Sequence, residues 1–275
     1  MNAVEHDLAP ERIARLLTTR RLGQSYLYFD RIGSTNDEAR RRAEAGAPEG
    51  LVLVADEQTA GRGRLDRRWW APPGSSLLMS LLLRPGLPLA RAGQLTMCLG
   101  LGAVEGVAEV TGLAPRLKWP NDLALNGRKL GGMLSEIQAA GDRLEYAVLG
   151  LGLNVNVSFE DGPTAARELA GSAISLWDAL GRKVDRGSLL ATILRHCDAW
   201  YDRVSADRAG GASVQQAWAQ ALETLGQEVV ITTAATVHRG LAVDVTPEGG
   251  LVLEDATGNR RTLWSGDVTS TRRVL

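Results

Sequence analysis

The chain has 275 residues and a formal net charge of −1, from 31 lysines and arginines against 32 aspartates and glutamates. This near balance argues against nucleic-acid and membrane-surface binders, because both need a basic field over a whole face. The two cysteines and three histidines lack metal-ligand spacing, so no zinc or haem site is indicated, and no feature indicates a flavin. An acidic N-terminus without an apolar leader, and no run of about 18 apolar residues, predict a cytoplasmic protein.

The first 154 residues are predicted to form helices and strands around one sheet. A short amphipathic helix begins at Pro10, within a helical extension that covers residues 1–24. A long segment rich in alanine and leucine predicts a buried helix that ends at Gly112. Asn126-Gly127 is typical of a hairpin turn, so the later strands should share one mixed or antiparallel sheet. The predicted elements are strand 26–29, a helix from 34 that stops at 46, strands 51–56 and 75–83, helix 89–110, and strands 116–119, 122–125, 129–138 and 144–154.

The rest of the chain is predicted to be helical first and then rich in short strands. Apolar residues from Leu189 to Val204 mark one face of a long helix, which a break at 208–212 separates from a further helix over 214–222. Short strands at 228–232, 237–245, 251–255, 261–264 and 268–272 are typical of a small SH3-type barrel. We therefore predict an α+β chain with the extension 1–24, a main domain over 25–224 and a C-terminal domain over 225–275.

Residues 58–70, which we call the arginine loop, hold four arginines, two glycines and two tryptophans. Gly61 and Gly63 permit a positive φ and alternate with cations, an arrangement that can wrap an anion. A tryptophan beside them offers a face to a flat base. The alternative is a solvated surface loop whose arginines contribute little. Neither a Rossmann fingerprint nor a P-loop occurs in the chain.

Three other segments carry polar groups at the ends of predicted elements. Thr35 and Glu38 have the spacing of a capping box, and such a helix N-terminus can also bind a neutral polar ligand group. The segment 118–122, Lys-Trp-Pro-Asn-Asp, has ordinary turn chemistry, but together with Lys129 it could serve a polyphosphate and Mg²⁺. The glycines of segment 150–154 indicate close strand packing, and Asn154 is its polar outlier.

In this order, the segments resemble the motifs of biotin–protein ligases. The resemblance extends from about Tyr26 to the C-terminus. It implies a class II synthetase-like core, in which a central mixed or antiparallel sheet is flanked by helices, and a small SH3-like domain after it. The residues that carry it are Gln58 with Gly61-Arg62-Gly63-Arg64-x-x-Arg67-x-Trp69, Lys118-Trp119-Pro120-Asn121-Asp122, Gly127-Arg128-Lys129-Leu130-Gly131-Gly132, and Gly150-x-Gly152-x-Asn154.

A ligase of this family makes biotinyl-5′-AMP from biotin and ATP, with Mg²⁺, and releases pyrophosphate. It then transfers the biotinyl group to a lysine of the biotin carboxyl carrier protein of a biotin-dependent carboxylase. Some members carry an N-terminal winged-helix domain, but only about 25 residues precede the core here, so no DNA-binding role is expected. The sequence leaves open whether the chain forms a weak homodimer. A lipoate or octanoate ligase or transferase of the related fold, and a non-enzymatic biotin sensor, are the alternatives.

The resemblance also implies roles for individual residues. The biotin set is Ser34, Thr35, Asn36, Gln58, Gly61, Arg62, Gly63, Arg64, Lys129, Gly131, Gly132 and Gly152. The ATP set is Arg64, Arg67, Trp69, Lys118, Asn121 and Asn154, with Asn121 and Asn154 also considered for Mg²⁺. The catalytic set is Arg64, Lys118, Asp122 and Lys129, in which Asp122 is hypothesised to receive the acceptor lysine. Two points stay open: whether Trp69 or Trp70 stacks on adenine, and how Leu65-Asp66, where the family often has a small residue, affects loop closure.

Overall fold

The structure, a computed structural model, describes residues 6–65, 67–207, 211–233 and 236–273. Asp66 and part of the break predicted at 208–212 lie outside these residues. Within the described ranges, no helix is both long enough and apolar enough to cross a membrane.

Seven strands form the larger sheet, and their limits match the predicted strands to within a few residues. They are β1 (Ser25–Ile32), β2 (Leu51–Gln58), β3 (Ser76–Leu83), β4 (Arg116–Lys118), β5 (Asp122–Leu125), β6 (Arg128–Ala140) and β7 (Arg143–Asn154). The strand order is β1-β2-β3-β7-β6-β5-β4. β1 and β2 are parallel, whereas the other neighbouring pairs are antiparallel. The predicted mixed sheet is confirmed.

Helices pack against this sheet. They are α1 (Pro10–Leu16), α2 (Thr35–Glu44), α3 (Ala92–Thr111), α4 (Thr164–Arg167), α5 (Leu176–Leu180), α6 (Arg186–Ala206) and α7 (Ala212–Ala221). The predicted helix 89–110 starts with a 3-10 turn over Leu89–Arg91 and ends, as predicted, at Gly112 with a φ of 74°. α3 packs closely on α6, because a Cβ on Gly102 would lie 2.3 Å from Cys197 Sγ.

The C-terminal strands form a second, antiparallel sheet of five strands. They are β8 (Gln227–Thr232), β9 (Val237–Val245), β10 (Leu251–Glu254), β11 (Arg260–Leu263) and β12 (Asp267–Arg273), in the order β11-β10-β9-β8-β12. Together, the two sheets confirm the α+β class. We propose domain boundaries at residues 24/25 and 224/225, as the composition of the chain suggests.

One buried cation joins the N-terminal extension to the strands that carry the arginine loop. Arg186, only 3% exposed, donates to Asp7 at 2.7 and 2.9 Å, to Asp56 Oδ1 at 2.8 Å and to the carbonyl of Ser76 at 3.2 Å. Burial lowers the pKa of Arg186, but the two carboxylates outweigh burial and the net pKa is raised. Since Asp56 lies near the end of β2 and Ser76 begins β3, Arg186 fixes both ends of the loop.

Replacing Arg186 with alanine should destabilise the fold by about 3–5 kcal/mol, because the largely buried carboxylates of Asp7 and Asp56 lose the guanidinium that pairs with both and are left with the more distant His6. Urea denaturation measures the free energy of unfolding. Arg195→Ala, which removes an exposed ion pair with Glu109, is the matched control and should change stability far less. Equal losses in the two variants would contradict this role of Arg186.

Candidate functional site

A cavity of about 840 Å³ lies between the larger sheet, the N-terminus of α2, the arginine loop and the start of β12. All predicted site residues line this cavity except Gly61 and Gly131. These two glycines instead allow another part of the backbone to come close behind the cavity wall. A Cβ added to Gly61 would lie 2.7 Å from the Trp69 carbonyl oxygen, and a Cβ added to Gly131 would lie 2.8 Å from the Gly152 carbonyl oxygen. The sequence does not predict that the start of β12 lines the cavity, because residues 266–269 carry no motif.

The arginine loop folds back on itself as a short antiparallel turn. Trp69 N donates to Gly61 O at 2.9 Å, and Gly63 N donates to Arg67 O at 2.6 Å. Gly61 and Gly63 do not use the positive φ that glycine permits: in the part of the loop that the structure describes, the residue with a positive φ is Leu65, at 55°. Gly61 is needed for space rather than for its dihedral angles, because an added Cβ would lie only 2.7 Å from the Trp69 carbonyl oxygen.

Arg62 and Arg64, two residues apart, have opposite surroundings. Arg62 Nη2 lies 2.7 Å from Asp37 Oδ1 and 3.1 Å from Glu136 Oε1. Burial works against its charge, but these carboxylates raise the pKa of Arg62 overall. Arg64 is half-buried, and burial lowers its pKa despite the more distant Asp267 and Asp122.

Among the described residues, no carboxylate forms an ion pair with Arg64, whose guanidinium donates to the neutral amide of Asn121 at 3.2 Å. A neutral acceptor orients a cation without cancelling its charge. Arg64 therefore keeps its positive charge available to a ligand anion, whereas the charge of Arg62 is already balanced by protein groups.

Alternate residues of β7 form the floor of the cavity, because positions i, i+2 and i+4 of a strand share one face. A Cβ on Gly150 would lie 2.3 Å from Asn36 Oδ1, and a Cβ on Gly152 would lie 2.6 Å from Trp69 Cε2. The glycines thus seat an amide and an indole, and are not simply sites of close strand packing. Asn154 follows on the same face and donates to the carbonyl oxygens of Ile174 at 3.2 Å and Lys129 at 3.4 Å.

The two tryptophans of the arginine loop occupy different environments, although both line the cavity. Trp69 lies over Gly152 with Lys129 Nζ 5.8 Å from its ring centroid. Its Nε1 is buried and has no hydrogen-bond partner among the described residues. Trp70 packs on a separate apolar cluster of Val157, Phe159, Ala166 and Ala173. This geometry favours Trp69 as the indole that is available to a ligand.

The N-terminus of α2 is capped one residue earlier than predicted. Ser34 is the N-cap residue, and its hydroxyl accepts from Asp37 N at 3.4 Å. The predicted box between Thr35 and Glu38 does not form, because Gln58 Oε1 accepts from Thr35 N at 2.7 Å and from its hydroxyl at 3.1 Å. Glu38 instead pairs with two arginines of its own helix, Arg41 and Arg42.

Asn36 is buried in the same cavity wall, with its amide held by protein groups. It donates to Leu134 O at 3.2 Å and to Glu136 Oε2 at 2.8 Å, and it accepts from Ser80 Oγ at 2.6 Å. Its predicted contact with a ligand therefore has to compete with this network. Ser34, Thr35 and Gln58 are placed beside it around one end of the cavity.

Segment 118–122 and the start of β6 together bring three charged side chains to the cavity wall: Lys118, Asp122 and Lys129. Asp122 Oδ1 lies 2.7 Å from Lys129 Nζ, which comes from the start of β6. Lys118 stands opposite Asp122 in the β4–β5 pair, and no carboxylate within the described ranges forms an ion pair with it. Trp119 is buried and donates to Gly249 O at 2.9 Å, which fixes this segment against the C-terminal sheet.

Asn121, one of the two amides considered as Mg²⁺ ligands, does not fit a metal held by the protein, whereas the same role for Asn154 stays a prediction. Asn121 Oδ1 already accepts from the guanidinium of Arg64, and Asn121 Nδ2 donates to Met133 O. A divalent cation at that oxygen would meet a positive charge, so this prediction is not supported by the geometry. In the part of the chain that the structure describes, no group of three or more His, Cys, Asp or Glu residues could hold a metal ion.

Comparison with known proteins agrees with this geometry. Residues 28–154 match the Biotin/lipoate A/B protein ligase family, and residues 224–269 match the Biotin protein ligase C terminal domain. The bifunctional ligase/repressor BirA of Bacillus subtilis is 36% identical over 252 residues, which are 92% of this chain and 76% of that protein. A biotin–[acetyl-CoA-carboxylase] ligase of Mycobacterium tuberculosis is 32% identical over 87% of this chain and 86% of its own length.

Solved structures show the same likeness. The biotin protein ligase from Aquifex aeolicus in complex with biotin and ATP superposes with a TM-score of 0.73 at 28% identity, over 91% of this chain and 100% of that one. Sequence and structure thus agree over both sheets, and the chain belongs to the biotin protein ligase family.

Proposed function

We propose that this chain is an ATP-dependent ligase that attaches biotin to a lysine of a biotin carboxyl carrier protein. In the first step, a carboxylate oxygen of biotin attacks the α-phosphorus of ATP, and pyrophosphate leaves. In the second step, the acceptor amine attacks the acyl carbon of biotinyl-5′-AMP and loses a proton, and AMP leaves. The family membership and the likeness to a ligase solved with biotin and ATP support this reaction.

The observation that carries the proposal is that Arg64, which lines the cavity, forms no ion pair with a carboxylate among the residues that the structure describes. A carboxylate and a triphosphate repel each other, so fixed cations are needed to bring them together and to stabilise the transition state. Arg64 has a neutral partner, and Lys118 is likewise not paired with a carboxylate among the described residues. Lys129 adds a third cation, paired with Asp122 before the ligand binds.

The two ends of the cavity suit the two ends of biotinyl-5′-AMP. Ser34, Thr35 and Gln58 offer hydroxyl and amide groups at the N-terminus of α2, which suits the neutral polar ring of biotin. Trp69 offers an indole face for adenine, and its buried Nε1 is a donor that has no partner within the described ranges. The arginine loop between them would exclude water and protect the mixed anhydride from hydrolysis.

We assign Mg²⁺ to the phosphates of ATP, where it offsets their negative charge when bound. Mg²⁺ keeps several waters and binds substrate phosphates more often than cages built from protein groups alone. Arg67, which also lines the cavity, pairs with Asp267 of the C-terminal sheet. Its proposed contact with ATP would have to replace that pair.

Asp122 is our candidate for receiving the acceptor lysine. Its ion pair with Lys129 shows that its carboxylate can hold an ammonium group at 2.7 Å. If Lys129 turns toward the anionic adenylate, Asp122 is left free to bind the incoming ammonium and take its proton. The order of events then follows from charge: the acceptor site forms when the adenylate is present.

Biotin-dependent exchange of labelled pyrophosphate into ATP tests the first step directly. The protein with ATP, Mg²⁺ and biotin should show exchange, whereas lipoate or octanoate should not replace biotin. Exchange with lipoate or octanoate and none with biotin would overturn the proposal in favour of the related lipoate branch. Exchange with none of these acids would overturn the adenylation step altogether.

Replacing Arg64 with alanine should speed the release of biotinyl-5′-AMP by about 10- to 100-fold, because a hydrogen bond to a charged group contributes roughly 1.5–3 kcal/mol. The free energy of unfolding should change by only about 0.5 kcal/mol, since the arginine loop lies outside the core. Filter binding of radiolabelled adenylate measures release. Arg260→Ala in the C-terminal sheet is the control; a matching loss of stability and adenylate retention would refute the assignment.

Asp122→Asn should separate the two steps. Transfer from preformed biotinyl-5′-AMP to a carrier domain should slow by about 100-fold or more, because the acceptor amine loses its base. Pyrophosphate exchange should change by less than about tenfold, since Lys129 and Arg64 keep their charges. Transfer at the wild-type rate in a single-turnover assay would remove this role of Asp122.

A further inference from the structure

The two carboxylates beside Arg62 come from separate parts of the fold. Asp37 lies in the first turn of α2, and Glu136 lies on β6. Both contact the same Nη2 of Arg62, at 2.7 and 3.1 Å. An arginine held in this way ties the arginine loop to a helix and to the sheet at once, and little of its charge is left for a ligand.

Glu136 also holds the cavity wall through its second oxygen. Oε2 accepts from Asn36 Nδ2 at 2.8 Å, while Oε1 holds Arg62. Asn36 packs directly over Gly150, where an added Cβ would lie 2.3 Å from its Oδ1, and Leu134 O and Ser80 Oγ also bond its amide. Arg40 Nη1, at 3.8 Å from Oε1, adds a weaker contact. One carboxylate thus links the loop over the cavity to an amide in its wall.

We propose that Glu136 is a positioning residue that latches the arginine loop through Arg62 and holds Asn36 in register with it. The inference rests on the proposed ligase function for its effect on the adenylate, but the latch itself is a property of the ligand-free protein. It gives Arg62 a role different from that of Arg64. Arg62 holds the loop in place, and Arg64 meets the anion.

The strength of this latch suits a loop that must open and close. The side chains of Arg62, Asp37 and Glu136 are 37%, 44% and 24% exposed, so solvent screens their attraction. A pair of this kind is weakened by salt, because the Debye length falls from about 10 Å at 0.1 M to about 3 Å at 1 M. Release of biotinyl-5′-AMP from the wild-type protein should therefore accelerate with ionic strength.

Glu136→Gln tests the latch, since it keeps the size and a hydrogen-bonding group for Asn36 but removes the charge. We expect release of the adenylate to rise about tenfold and its salt dependence to flatten, with the single-turnover rate of adenylation within about twofold of wild type. In the double variant Arg62→Gln/Glu136→Gln, release should be no faster than in Arg62→Gln alone, because the two residues act as one unit. Additive effects would overturn the proposal.

Glu38→Gln is the matched control, because Glu38 lies on α2 and pairs with Arg41 and Arg42, outside the arginine loop. It should leave release unchanged. A rise equal to that of Glu136→Gln would mean that any loss of charge near α2 has this effect, and would overturn the latch.

Hydrogen exchange in the ligand-free protein separates the latch from the proposed function. The amides of Gly63 and Trp69, which close the turn of the loop, should exchange about tenfold faster in Glu136→Gln, while those of β7 should not change. Unchanged loop exchange would overturn the latch whatever the substrate proves to be. Faster loop exchange in a protein that shows no biotin-dependent exchange of pyrophosphate would keep the latch and overturn the ligase assignment.

Discussion

The proposed site depends on a positive charge with which no carboxylate of the described residues forms an ion pair. Arg64 is half-buried, burial lowers its pKa, and its guanidinium is oriented by the neutral amide of Asn121. The charged form of such an arginine has a higher free energy than that of an arginine paired with a carboxylate. An anionic ligand that pairs with it lowers this free energy, which favours binding. Lys118 and Lys129 also line the cavity and add positive charge to it. A carboxylate in place of Asn121 would orient Arg64 equally well but cancel the charge that the ligand needs.

The remaining structure brings this charge to the right place and keeps it there. Arg186 fixes the ends of β2 and β3, so the arginine loop starts and ends on rigid strands. The floor is the face of β7 on which Gly150 and Gly152 make room for Asn36 and Trp69. These contacts are backbone and side-chain packing rather than ligand chemistry. They explain why glycines stand where a strand would usually carry β-branched residues.

Much of the fold could be predicted because its signals are local. The helix stop at Gly112 and the Asn126-Gly127 hairpin each follow from the conformations that a few residues allow. The sequence places the cap of α2 one residue late, because Ser34 and Thr35 are both residue types that cap helices. Only the contact between Thr35 and Gln58, which are 23 positions apart, decides between them.

The sequence by itself determined the kind of chemistry: a loop rich in arginine and glycine, the segment 118–122 and the glycines of β7, in an order that resembles one family. The tertiary structure decided which of these residues keep a free charge. Arg62 and Arg64 have identical side chains, and only neighbours from α2, the β4–β5 turn and β6 make one a latch and leave the other open to an anion. A pKa and an ion pair depend on distances across the fold, and no local pattern records them.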